Sequence, residues 1–411
     1  MNQKILKKYA DLLVRAGLNV QPQQEVLITA SVEVYPFITM LVHSCYEAGA
    51  SIVHVDWSCT AASVLDYTYA RTEVLQTVRP WEEARYAQAA EDLPAMMHIM
   101  SDDPDAMAGL DAGKVAAVSQ ARSKVMKPYR SRMDGKFQWL IAAAATPAWA
   151  RKVFPDLSEE DALDALWAEI FRTCYVTEDN DPVAERQEHD RFTLEKARWL
   201  TEEGFASLRY HSAGGTDFSV SLIPGAKWSA AGEINETNGV FYIPNMPTEE
   251  IFTSPMAGAC EGTLVATKPL SWNGQLIDRF SITFEKGRAV SCRAETGQAV
   301  LEKILAMDEH AVMLGEVALV PVESPISRSG VLFYNTLFDE NAACHVALGK
   351  GFKEVLPDGN SLTAEEAEAR GINDSLIHVD FMVGSADLSI TGIKPDGTEV
   401  PVFVNGTWAE R

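Results

Sequence analysis

Cysteine is scarce in this 411-residue chain, and basic residues are outnumbered by acidic ones. The six cysteines (Cys45, Cys59, Cys174, Cys260, Cys292 and Cys344) are scattered, and no two form a Cys-x-x-Cys pair. That excludes a zinc ribbon or a dithiol redox couple and fits reduced thiols in a reducing compartment. With 35 basic against 58 acidic residues the formal charge is −23, which argues against a nucleic-acid partner, since phosphate backbones call for a basic excess. No apolar run reaches the ~20 residues that span a bilayer, so no membrane partner is expected. The first residues lead straight into an amphipathic pattern without a signal-type apolar segment, so a cytoplasmic location is expected. No Gly-x-Gly-x-x-Gly follows the first extended segment, and a dinucleotide site is therefore not indicated.

The balance of 47% apolar and 23% charged residues is that of a globular protein large enough for two or three domains. Apolar spacing predicts a helix over Ile5–Leu18, a strand over Glu25–Ala30, a helix over Pro36–Ala48 and a strand over Ser51–Trp57. Further strands are predicted at Ala95–Met100 and Phe137–Ala145. This alternation predicts an α/β N-terminal domain with a mostly parallel sheet and helices on both faces. The charged stretch from Pro155 to Phe205 reads as helix throughout, a bridge between halves. From Ser207 onward short alternating segments (Thr216–Ile223, Gly262–Thr267, Phe280–Glu285, Ala289–Arg293) are separated by Gly, Asn and Pro, with a helix at Gly297–Met307. They predict an α+β, β-rich C-terminal domain that carries the metal site. The expected division is 1–190, with the helical bridge near its end, and 191–411.

Eight histidines are present. His43, His54, His98, His189, His211 and His310 have no second ligand type at a recognisable spacing and read as structural or surface residues. His378 differs: in Leu376–Val383 it precedes Asp380 by two, and residues i and i+2 of a strand share a face. An imidazole and a carboxylate side by side are natural metal ligands, or a hydrogen-bonded pair. His345 follows Glu340 in a small, apolar stretch where a carboxylate needs a partner. Glu316 stands alone in the apolar run Ala311–Val320, and Glu249 and Glu250 follow Pro247. The bland alternatives are an exposed edge strand for Glu316 and a cap or surface turn for the other two. Together Glu250, Glu316, Glu340, Asp380, His345 and His378 make a carboxylate-rich set that suits a pair of divalent ions sharing a bridging carboxylate and an activated water.

The strings Asn245–Thr253, Gly315-Glu316, Glu340–His345 with Ala347–Gly349, and Asn373–Ser375 leading to His378–Asp380 carry a family resemblance. The chain resembles the aminopeptidase T and aminopeptidase S family of dinuclear metallopeptidases, the thermophilic-type aminopeptidases. The resemblance implies release of N-terminal residues from peptides with a free N-terminus, a homodimer, and two divalent ions per chain. Zinc or cobalt are the usual ions, and manganese or magnesium suit the same ligands. Carried over position by position, Glu250, Glu316, Glu340, His345, His378 and Asp380 are the ligands, with Glu316 bridging. Glu250 and His345 are assigned to one ion, and Glu340, His378 and Asp380 to the other. Apart from the resemblance, Glu249, next to Glu250, is the candidate general base, or else a group that supports the ligands or a salt-bridge partner. Members often carry a tyrosine seven residues after the histidine matching His345, where this chain has Phe352, so Tyr242, Tyr334 or a water would have to replace that hydroxyl. The alternatives are a dinuclear hydrolase of a non-peptide substrate and a catalytically weakened metal-binding dimer. The first is disfavoured because the motifs hold few Arg or Lys to clamp phosphate.

Overall fold

The computed structural model describes residues 2–272 and 274–410. They fall into two compact units: residues up to Gln187 together with Gly232–Pro247, and Glu188–Ala231 together with residues from Thr248 onward.

The first unit is built on a four-stranded parallel sheet in the order Ile52–Ser58, Glu25–Ser31, Ala95–Met100, Trp139–Ala143. Val26, Ile28 and Ala30 alternate into the core of this unit, the period-two pattern of a strand. The helix expected over 36–48 forms as Tyr35–Glu47, with proline in its first turn, where a missing N–H costs nothing. The N-terminal helix runs only over Gln3–Leu12 and continues as a π-helical turn, Leu13–Gly17. The bridge expected as helix throughout forms as two helices, Glu159–Thr173 and Pro182–Glu203, with an interruption between them. The second is opened by Asp181, whose side chain accepts from the Val183 and Ala184 N–H groups.

The domain division expected at 190/191 differs from the observed one, because residues 232–247 return to the first unit. Ile141 N–H donates to the Pro244 carbonyl at 2.7 Å, and Met246 N–H donates to the Ile141 carbonyl at 2.9 Å. The buried Gln138 side chain meets Gln24, Asn235 and Asn238. Backbone and amide pairing decide this placement, and hydrophobic periodicity does not report it.

The second unit holds two antiparallel sheets. The larger contains nine strands, among them Pro255–Val265, Gln275–Glu285 and Arg288–Thr296. The smaller orders Ser229–Ala230, Ile251–Thr253, Leu314–Leu319, His345–Gly349 and His378–Met382. One core of aliphatic and aromatic side chains from both sheets includes Phe280, Val317, Val346 and Phe381. Among the described residues no helix is long and apolar enough to cross a membrane.

Candidate metal centre

The five-stranded sheet gathers the acidic and imidazole side chains. In its antiparallel register Glu316 lies opposite Ala347, which lies opposite Asp380. His345 lies opposite Ala318 and Met382, and His378 opposite Gly349. Residues opposite one another share a face, as do alternate residues along a strand. Glu316, His345, His378 and Asp380 therefore project from one face, over the small Ala347 and Gly349 of the middle strand. Phe252 pairs with Ala318, so alternation brings Glu250, just before Ile251–Thr253, to the same face.

The ladder is irregular between Leu314 and Glu316, and Gly315 occupies the irregularity. A Cβ on Gly315 would meet the Lys350 carbonyl oxygen at 2.2 Å, so only glycine admits that backbone. The same carbonyl lies 2.8 Å from His378 Nδ1, and the Ala343 carbonyl lies 3.1 Å from His345 Nδ1. Each imidazole thus gives its Nδ1–H to the backbone and turns Nε2 towards the carboxylates, the orientation a metal-ligating histidine needs.

His345 Nε2 is 3.1 Å from Glu250 Oε2. His378 Nε2 is 3.1 Å from Glu316 Oε2 and 3.2 Å from Asp380 Oδ1. Two donor groups follow, each with ligand atoms within 4.8 Å of one another: Glu250, Glu316 and His345, and Glu316, His378 and Asp380. Glu316 is common to both. It is 4% exposed and lies between two neighbouring strands, so the exposed-edge alternative does not hold for it. Glu340 stands outside both groups. It shares with Asp380 the lining of a cavity of about 20 Å³. A larger hollow of about 280 Å³, bordered by Ser219, Cys260 and Lys286, touches none of these residues.

The electrostatics fit a cation. Burial, reinforced by the charges of Glu250 and Asp380, pushes the Glu316 carboxyl up to about 7, against the hydrogen bond from His378. Glu340 is driven well above the usual carboxylate range, first by lost hydration and then by Glu250 and Asp380. Burial pulls both imidazoles down, but the carboxylates more than reverse it: His345 rises to about 10 beside Glu250 and His378 to about 12 beside Asp380 and Glu316. Asp380 is held low by His378 and His345 despite its burial. Its Oδ1 is buried without a well-directed hydrogen-bond donor among the described residues. Carboxylates that raise one another, with only two imidazoles to offset them, are a donor set that divalent ions suit.

Around this set lie residues the sequence reading did not single out. The fully buried Asn341 accepts the Glu249 N–H at 2.7 Å and donates to the Leu337 carbonyl at 3.1 Å. It ties the Glu249-Glu250 segment to the turn bearing Glu340. Asp339 accepts the N–H groups of Phe333 and Asn335 at 2.8 and 2.9 Å, fixing a loop in which Tyr334 has φ 55°. His189 Nε2 lies 3.6 Å from Glu249 Oε2. The sequence signal for Asn341 and Asp339 was a polar residue in an apolar run, while His189 had none. Of the tyrosines considered in place of Phe352, Tyr242 donates to Glu233 Oε2 at 2.6 Å. The Phe352 ring centre itself lies 5.0 Å from that of His378 and 5.3 Å from that of Phe252.

Comparison with known proteins places this architecture. Residues 2–408 match the thermophilic metalloprotease (M29) family. Aminopeptidase AmpS of Bacillus subtilis (strain 168) is 42% identical over 405 residues, 98% of each chain. Aminopeptidase 2 of Geobacillus stearothermophilus is 40% identical over 408 residues, 99% of this chain and 98% of that one. The solved structure of wild-type AmpT from Thermus thermophilus matches with a TM-score of 0.92 at 36% identity, covering 99% of this chain and all of that one.

Proposed function

Since this chain belongs to the thermophilic metalloprotease (M29) family, we propose that it is a metal-dependent aminopeptidase that removes residues from peptide N-termini at a dinuclear centre. The observation that carries the dinuclear reading is Glu316, one carboxylate common to two adjacent donor groups. Glu250 and His345 would hold one ion, His378 and Asp380 the other, and Glu316 would bridge them. Glu340 would complete the second set from the turn beside Asp380. Zinc or cobalt suits these imidazole and carboxylate donors. When bound, the ions supply Lewis-acid polarisation of the scissile carbonyl and a water of lowered pKa.

The remaining work falls to the chain. A Glu249 carboxylate oxygen takes the proton of the attacking water and passes it to the nitrogen of the leaving amine. The side chain is 3% exposed, which keeps bulk water from competing for that proton. The Lys350 and Ala343 carbonyls hold the two imidazoles in one orientation, so the donor set does not reorganise during turnover. The family resemblance further implies a cytoplasmic homodimer, and light scattering should return twice the chain mass.

The test is hydrolysis of aminoacyl-arylamides by metal-stripped protein with zinc or cobalt restored. Activity that returns with metal, spares N-acetylated substrates and vanishes in Glu316→Gln is the expected result. Two equivalents of bound metal with no cleavage of any free-amine substrate would overturn the peptidase assignment.

A further inference from the structure

We propose that His189 is a positioning residue that holds the Glu249 carboxylate in its working orientation, a role that rests on the general-base reading of Glu249. Glu249 follows Glu250 in the chain, and adjacent side chains diverge, so the metal ligand cannot steer it. Its backbone is pinned by Asn341, whose Oδ1 accepts the Glu249 N–H at 2.7 Å. The side chain beyond that point has three rotatable bonds, and a carboxylate must be held to a fraction of an ångström to act on one water.

His189, carried on the 22-residue helix Pro182–Glu203, belongs to the same compact unit as Glu249. Its Nε2 stands 3.6 Å from Glu249 Oε2, and the two side chains are 15% and 3% exposed. The attraction between the imidazole and the carboxylate is stronger there than it would be in water, because little solvent screens the pair. The separation exceeds a hydrogen bond, and contacts of this kind commonly shorten only once substrate is bound. A helix-borne imidazole, with few rotamers, suits the task of fixing a more flexible neighbour.

The test measures kcat, KM, bound zinc and Tm for His189→Leu, His189→Gln and His189→Asn, each alone and combined with Glu249→Gln. In the otherwise unaltered protein His189→Leu should lower kcat by about 10- to 100-fold, the scale of a displacement near 1 Å, with KM changed less than about twofold. His189→Gln, whose amide reaches about as far as Nε2, should recover most of the loss, and the shorter His189→Asn should not. If the leucine variant fails to fold, the glutamine–asparagine pair still decides the matter. Zinc content and Tm should stay at the parental values. In the Glu249→Gln background the same His189 changes should cost less than about twofold, because the group being positioned is gone.

Equal losses in the two backgrounds would overturn the positioning role while leaving Glu249 as base. A rise in KM at constant kcat would do the same. Parental turnover in Glu249→Gln alone would instead remove the base assignment and this inference with it.

Discussion

Metal uptake by the stripped protein should expel protons, and the site's geometry sets the number. His345 and His378 titrate near 10 and 12 because Glu250, and Asp380 with Glu316, face their Nε2 atoms. At pH 7 both imidazoles are therefore charged, and burial keeps the Glu316 and Glu340 carboxyls raised, so they hold protons that free carboxylates would have lost. An ion takes the Nε2 lone pair of each imidazole, so about two protons leave from the histidines, and the raised Glu316 and Glu340 carboxyls release theirs as they become ligands. Three pH units below its pKa, His345 weakens binding about 1000-fold relative to its neutral form, and each pH unit gained returns about tenfold per imidazole. Zinc titration calorimetry at pH 7 in two buffers of different ionisation enthalpy counts the released protons directly. Release of less than about one proton per chain would refute the ion-paired description of the empty donor set.

The same pairs bear on alkaline stability. Both folded-state histidine pKa values lie above the ordinary imidazole value of 6.5, so their contribution is complete below about 6.5 and lost as pH rises through 10 and beyond. Stripped protein should show a Tm that falls between pH 9 and 11, and a flat profile there would contradict the pairing. Asn341→Ala leaves the Glu249 N–H and the Leu337 carbonyl without their partner, at about 1–3 kcal/mol for each group. Urea unfolding should register that loss, and a change under about 0.5 kcal/mol would show that other groups satisfy both. Phe352→Tyr places a hydroxyl beside His378, and turnover should rise about tenfold or more if an oxyanion donor is missing there. Unchanged kcat with unchanged zinc content would mean that the centre already has its donor.

Much of this was legible because local patterns survive packing. The strand predicted at Ala95–Met100 forms with those bounds, and the predicted Ser51–Trp57 forms one residue on as Ile52–Ser58. His378 and Asp380 could be paired from a spacing of two, since the strand's own pleat brings them to one face. Glu316 was legible as a carboxylate in an apolar run, but its place between two donor groups depends on register with strands about 30 and 60 residues further on, which no local pattern encodes. Glu249 and His189 lie far apart in sequence, and a half-turn of the Pro182–Glu203 helix would have separated them. The return of 232–247 to the first unit is written in backbone hydrogen bonds, which residue spacing does not encode.

That return fixes an order of events during synthesis. The first unit is not finished when Gln187 leaves the ribosome, since Gly232–Pro247 is still unmade. At about 5–20 residues per second, the outer edge of Trp139–Ala143 waits several seconds for the backbone of Pro244 and Met246 to cover Ile141. Over that interval a newly made parallel sheet presents an open edge to other nascent chains. The N-terminal half thus keeps one sheet edge uncovered until the polypeptide has entered and left the second unit once.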